Sequence, residues 1–305
     1  MEHLLVLVIS IPVYLGGIAA EAVVLPRQRA AGRDVLGYER RDTVASIAMG
    51  AGSLVIGIVY AAAATALAEV LFRYRVVDLP NAAVAWVVAM VGWDLAYYWT
   101  HRWEHEVRFL WAGHVNHHSS ERYNLSTALR QPWTPFLTVV TFPLLALVGV
   151  EPWLIFMAGG LNLLYQYWIH TEAIDRLPRW FEAVMNTPSH HRVHHGSNGR
   201  YLDRNHGGVL IVWDRLFGTF EREEERVVYG LTKDIRSFDL RVIAFHEYAA
   251  IGRDLRTART WGERLGYVFR HPGWRPAGAP ASPVPDGLAA PVAAPVAAVE
   301  AVPAA

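Results

Sequence analysis

Residues 82–118 read AAVAWVVAMVGWDLAYYWTHRWEHEVRFLWAGHVNHH, an apolar run from Ala82 to Trp99 that passes directly into two groups of histidines. In HRWEH, His101 and His105 stand four residues apart; in HVNHH, His114, His117 and His118 stand at i, i+3 and i+4. Residues at those spacings share one face of an α-helix, so each group projects to one side. A third group, HRVHH, repeats the pattern with His191, His194 and His195, and eleven of the fourteen histidines fall between His101 and His206. Convergent neutral imidazoles suit a borderline transition metal such as iron or zinc. Eight clustered imidazoles, with His170 as a ninth candidate, exceed what one four-coordinate ion uses, so two metal ions are expected.

Composition narrows the chemistry. The chain has no cysteine, which excludes iron–sulfur clusters and thiolate-ligated haem and leaves any redox step dependent on an external electron donor. Its 305 residues are 53% hydrophobic, with 12 Trp and 13 Tyr, the profile of a membrane protein. Basic and acidic residues balance at 28 each, and nothing supplies the concentrated basic face that nucleic-acid binding needs.

Hydropathy predicts an all-α, multi-pass bundle with spans at Leu4–Leu25, Thr43–Phe72, Ala82–Trp99, Thr134–Val150 and Pro152–Ile169, most near the ~20 residues that cross a bilayer. The first lacks the basic start and cleavage site of a secretory signal and is kept as a span. The last two are short, contain Pro143 and are separated only by Glu151, so residues 134–169 read as a helical hairpin that need not be fully exposed to lipid. Arginines crowd the loop from Pro26 to Asp42 and the segment after Trp99, whereas the opposite side carries only Arg73 and Arg75; this bias places the histidines on the cytoplasmic side. The organisation expected is N-terminal spans over 1–99, a histidine-bearing region over 100–276 with a helical cytoplasmic cap, and a disordered Ala/Pro-rich tail over 277–305.

Individual residues are then weighed by position. If the third span continues as a helix past Trp99, Asp94, Tyr98, His101 and His105 form one stripe. A carboxylate inside a bilayer needs a partner, so Asp94 is expected to accept the second ring N–H of a ligand histidine or to offset metal charge. His170 closes the hairpin at the histidine face. His190 sits four residues before His194, as His191 does before His195, and spacing alone leaves both open. His206, in an Asn-His-Gly-Gly setting, reads as a loop residue near the site, while His3, His246 and His271 read as structural or solvent-facing. Arg130 and Gln131 are candidates to line the site or hold a lipid head group, with a solvated arginine as the alternative for Arg130.

The order HRWEH, HVNHH, HRVHH resembles the eight-histidine signature of the fatty acid hydroxylase/sterol desaturase superfamily of integral membrane non-haem di-iron enzymes. Within it, WAGHVNHHSSERYNLSTALRQ, NTPSHHRVHHG and GGVLIVWDRLFGTFE look like the alkylglycerol monooxygenase branch and its bacterial relatives. The resemblance runs from about Trp93 to Pro276. It implies iron ligation by His101, His105, His114, His117, His118, His191, His194 and His195, with His170 as the additional histidine, and it selects His191 over His190. It further implies O2-dependent hydroxylation or desaturation of a lipid in a bacterial inner membrane, fed by tetrahydrobiopterin or by a ferredoxin and its reductase.

The rival readings are a haem-bearing membrane electron carrier, which would leave the His117/His118 and His194/His195 doublets unused; a metal transporter, whose histidines would line a path through the bilayer; and a zinc hydrolase, which needs fewer ligands and a general base.

Overall fold

The computed structural model describes residues 2–278, with side chains from residue 10 onward; most of the tail expected from 277, and the side chain of His3, lie outside the described residues. Secondary structure among these is helical, apart from a single bridge between Met185 and Leu210. Three long helices open the chain: α1 (Glu2–Ala30), α2 (Arg40–Phe72) and α3 (Ala82–Glu106). The second starts where the Glu39 side chain accepts from Asp42 N, and the third where Asn81 accepts from Val84 N, each cap satisfying an N–H that has no partner within the helix. Then follow α4 (Arg108–His118), α5 (Thr138–Thr141) running into a 3-10 stretch (Phe142–Val148), and α6 (Pro152–Ile169). Short helices α7 (Arg179–Glu182), α8 (Pro188–His194) and α9 (Val212–Phe217) precede α10 (Leu240–Thr257) and α11 (Trp261–Phe269).

Among the described residues, two helices, α2 and α3, are long and apolar enough to cross a membrane. The apolar surface of α2 has no protein cover: Val55 is 69% exposed and Ile58 70%, which suits lipid and not water. Five candidate spans were expected, the last two as a hairpin that need not be fully exposed to lipid. The limb beginning at Thr134 gives only four α-helical and seven 3-10 residues, about 20 Å of rise against a hydrocarbon core of about 30 Å. It ends at Gly149, whose φ of 86° is open to glycine and where a Cβ would collide with Val77 O. In α6 the polar Asn162 and Gln166 are turned inward and buried.

Small residues let these elements approach closely. Ala68 of α2, Ala89 of α3 and Ala158 of α6 are buried in one cluster with Trp93, Ala146, Val150, Leu154 and Ile155. Trp93 stacks on Phe142 at 4.2 Å, and a Cβ on Gly159 would run into its ring. Close backbone approach at small residues is how helices gain packing energy inside a bilayer.

The two ends of this bundle differ. At one, Val76 N of the α2–α3 loop bonds Leu147 O. At the other, the α1–α2 loop is tied to the end of α6: Gln28 and Arg33 donate to Ala173 O, and Leu36 N donates to the Glu172 carboxylate. The second end is where α3 and α6 deliver His101 and His170. α4 doubles back along α3, and α10 and α11 close over α4.

Candidate metal centre

Helix α3 continues unbroken past residue 99 and carries Asp94, Tyr98, His101 and His105 on its buried face. α4 supplies His114, His117 and His118; His170 caps α6; α8 supplies His191 and His194, with His195 at its C-cap. All nine are buried and fall into two groups, His101, His105, His114, His118 and His194 in one and His117, His170, His191 and His195 in the other, with the ligand atoms of each group within 4.8 Å of one another. Each triplet motif is divided between the groups. In HVNHH the i, i+4 pair His114/His118 joins the first and His117 the second; in HRVHH the pair His191/His195 joins the second and His194 the first. His190 belongs to neither.

Hydrogen bonds around the rings decide what these groups can hold. His117 Nδ1 donates to Arg130 O at 3.3 Å and His170 Nδ1 donates to Gln166 O at 2.7 Å. A carbonyl only accepts, so in each neutral ring the proton is on Nδ1 and Nε2 bears a lone pair. Those two Nε2 atoms face each other at 3.2 Å, and His191 Nε2 is 2.9 Å from His170 Nε2. In the first group His101 Nδ1 donates to His206 O at 2.8 Å and His194 Nδ1 to Arg204 O at 2.9 Å, and His101 Nε2 lies 3.0 Å from His114 Nε2. Nε2 of His105, His194 and His195 is buried without a partner. Lone pairs converging at such distances repel unless a cation lies among them, so the residues fit two metal ions bound by neutral imidazoles. Burial, reinforced by the neighbouring rings, holds His114, His117, His118, His191, His194 and His195 well below the usual histidine range, which keeps them in the neutral, ligating form.

The loop from Asp203 to Leu210 organises the first group. Asp203 and Asn205 both have φ of 57°, the left-handed region that Asp and Asn tolerate better than most residues; they bracket Arg204, whose carbonyl takes His194. The Asp203 carboxylate lies 3.4 Å from His105 Nδ1 and 2.8 Å from His271 Nε2. Burial pushes this carboxyl up, but the hydrogen bonds from the two rings prevail and hold it well below the usual range. Asp214, pushed up to about 6 by burial, accepts from the backbone N–H of His206 and Gly207.

Two side chains, those of Asp94 and Arg130, sit otherwise than expected. Asp94 meets no histidine: its oxygens accept from Val209 N, Leu210 N, Trp213 Nε1 and Asn162 Nδ2 at 2.7–3.1 Å. It therefore anchors the loop whose carbonyl orients His101, one layer farther out. Two of its four partners are main-chain N–H groups, which carry no signature in the amino-acid sequence. Arg130 is neither solvated nor turned to lipid; 1% exposed, it pairs with Asp42 at 2.5 Å and donates to Ser46 and Ser119. Gln131 Nε2 donates to Ala128 O. Sequence reasoning missed Asp42, Asp203 and the carbonyls of Arg204 and Gln166, although Asp203-Arg204-Asn205, two αL-tolerant residues before a Gly pair, hinted at a sharp turn.

The fold and site define a helical membrane protein with paired all-histidine metal-binding groups. Residues 86–219 match the fatty acid hydroxylase family model. The chain is 45% identical to human alkylglycerol monooxygenase over 205 residues, covering 67% of this chain and 46% of that protein. It is 28% identical to the ornithine lipid hydroxylase OlsE of Rhizobium tropici over 137 residues, 44% of this chain and 41% of that one, and 26% identical to mouse lathosterol oxidase over 159 residues, 47% and 48%. The chain belongs to the fatty acid hydroxylase family, and spans about half the length of the curated relatives it matches. No solved structure matches it.

Proposed function

We propose that this chain is a membrane-bound, O2-dependent lipid hydroxylase that binds one iron at His101, His105, His114, His118 and His194 and a second at His117, His170, His191 and His195. The observation that carries the reading is the convergence of lone-pair nitrogens in two adjacent buried groups. When bound, the two irons supply the capacity to activate O2 against an unactivated C–H bond. The protein's own contribution is to fix each imidazole through its Nδ1 hydrogen bond, so that the rings hold position through the reaction.

The substrate class follows from the relatives, whose names specify alkylglycerol, ornithine lipid and lathosterol, and from the site's place at the end of the apolar bundle. A lipid chain entering between helices is positioned by its length, which selects the carbon attacked. Electrons come from an external donor, tetrahydrobiopterin or a ferredoxin with its reductase. The arginine bias supports a cytoplasmic site in a bacterial inner membrane.

A haem carrier is disfavoured because five nitrogens within 4.8 Å of one another leave no slot for a macrocycle. A transporter is disfavoured because the histidines gather at one end of α3 and α6 instead of along a path. Lipidomics of cells with and without an active copy tests the proposal: lipids gaining one oxygen support hydroxylation, lipids losing two hydrogens would replace it with desaturation, and an unchanged lipidome with metal-loaded protein present would refute it.

A further inference from the structure

A cavity of about 760 Å³ opens beside the histidine groups, and none of the nine clustered histidines lines it. Its floor includes the buried Ser189 and His190, and its rim carries four exposed arginines, Arg176, Arg179, Arg215 and Arg222. Two acids share the lining, and both are engaged. Glu223 receives Arg192 through both oxygens at 2.7 Å, and Glu182 accepts from Leu177 N and Thr187 Oγ1. Arg176 and Arg215 each give a donor to a main-chain carbonyl, while among the described residues the guanidinium groups of Arg179 and Arg222 have no acceptor. His190 Nδ1 is buried without a partner. Four guanidinium groups around a concave floor with unused donors make a receptor for a multivalent oxyanion, because the planar fork of arginine matches phosphate geometry.

The surroundings locate this receptor. The segments bearing the arginines are joined by the Ile211 N to Val184 O bond and the Met185–Leu210 bridge. On their outer surface stand Trp180, 74% exposed, and Leu216, 66% exposed, beside the rim arginines. Phe217 of α9 packs on Tyr98 and Trp99 of α3, so the cavity lies where that helix leaves its apolar stretch. Exposed Trp next to Arg at this level is the composition of a membrane interface, where anionic head groups are drawn to basic residues.

We propose that this cavity binds a phosphate-class oxyanion presented by the head group of an anionic lipid. The lipid source rests on α3 being a membrane span; the oxyanion chemistry does not. The test uses the full-length, metal-loaded chain in neutral detergent, its thermal midpoint followed during titration with phosphatidylglycerol, with a neutral diacylglycerol and with inorganic phosphate. Phosphatidylglycerol should stabilise the protein, the diacylglycerol should not, and inorganic phosphate should compete. The double variant Arg179→Gln/Arg222→Gln should bind phosphatidylglycerol at least about tenfold more weakly, the loss expected for charge-assisted contacts, with metal per chain unchanged. A response to inorganic phosphate alone would overturn the lipid source and leave a soluble oxyanion. Equal responses of parent and variant to phosphatidylglycerol, or no response of either to phosphatidylglycerol or to inorganic phosphate, would overturn the site. Metal content read on the same samples reports independently on the proposed iron sites.

Discussion

His101 Nδ1 donates to the main-chain carbonyl of His206 at 2.8 Å, a bond between residues 105 apart in sequence. It fixes both the tautomer and the tilt of an imidazole that belongs to the first metal-binding group. The loop that offers the carbonyl is itself held by Asp94, through Val209 N and Leu210 N, so the setting of a first-group imidazole rests on a carboxylate that touches none of the clustered rings.

Asp94→Asn keeps the size but replaces one acceptor by an NH2 that faces N–H donors. Metal affinity is expected to fall about 10 to 100-fold, the range for residues that orient ligands, with a stability loss of about 1–3 kcal/mol from unsatisfied buried N–H groups. Metal retention under chelator challenge and thermal unfolding check it. Parent-like behaviour in both would mean that the loop is held without Asp94.

The division of HVNHH and HRVHH between two groups predicts separable metal losses. His118→Ala should deplete the first site and His195→Ala the second, each taking the preparation from about two metal ions per chain towards one. Elemental analysis checks this. Loss of both metals from either variant would point to a single cooperative site.

Arg130 and Asp42 form a buried pair, which is costly to break on one side only. Arg130→Met should destabilise the protein by about 3–5 kcal/mol through the stranded carboxylate, and adding Asp42→Leu should recover much of that loss. Chemical denaturation of the two variants gives the comparison. A small single-variant effect accompanied by a raised KM for lipid would instead favour a head-group role for Arg130.

Sidedness can be read by introducing cysteines into this cysteine-free chain. Two exposed positions serve: Glu224 on the histidine side and Asp78 in the α2–α3 loop, with side chains 56% and 83% exposed. An impermeant thiol reagent should label Asp78→Cys in intact cells and Glu224→Cys only after permeabilisation. The reverse pattern would invert the topology.

Stability should fall as the pH drops below about 6.5, the ordinary histidine value. Burial, with the charges of Arg215, Arg192 and Arg222 behind it, holds His190 at about 3, and the buried ligand histidines are likewise held low. Between pH 3 and 6.5 the unfolded chain binds protons that the folded chain refuses, so unfolding is favoured by acid across that window and is indifferent to His190 above it. Denaturation midpoints of the metal-free protein from pH 5 to 8 test the sign.

The histidine spacing was legible because it is a property of the helix alone: i, i+3 and i+4 positions share a face whatever the helix packs against. The long helices were legible because continuous apolar runs have few other uses. The hairpin's first limb was legible as short and interrupted at Pro143, but hydropathy records only how apolar residues 134–150 are and not how far Pro143 and Gly149 shorten the helical rise. Asp94 was placed on the correct face of α3 by periodicity and given the wrong partner, because backbone N–H groups from residues 209 and 210 carry no side-chain signature.

By itself, then, the sequence determined that imidazoles would converge in numbers beyond one metal's need and would do so on helices beside apolar spans. Which imidazole joins which group, and that Arg130 closes on Asp42, came only with the tertiary structure. Those outcomes depend on the relative rotation of α3, α4, α6 and α8 and on carbonyls brought from distant loops, and a hydrogen bond to the main chain is available to any residue type.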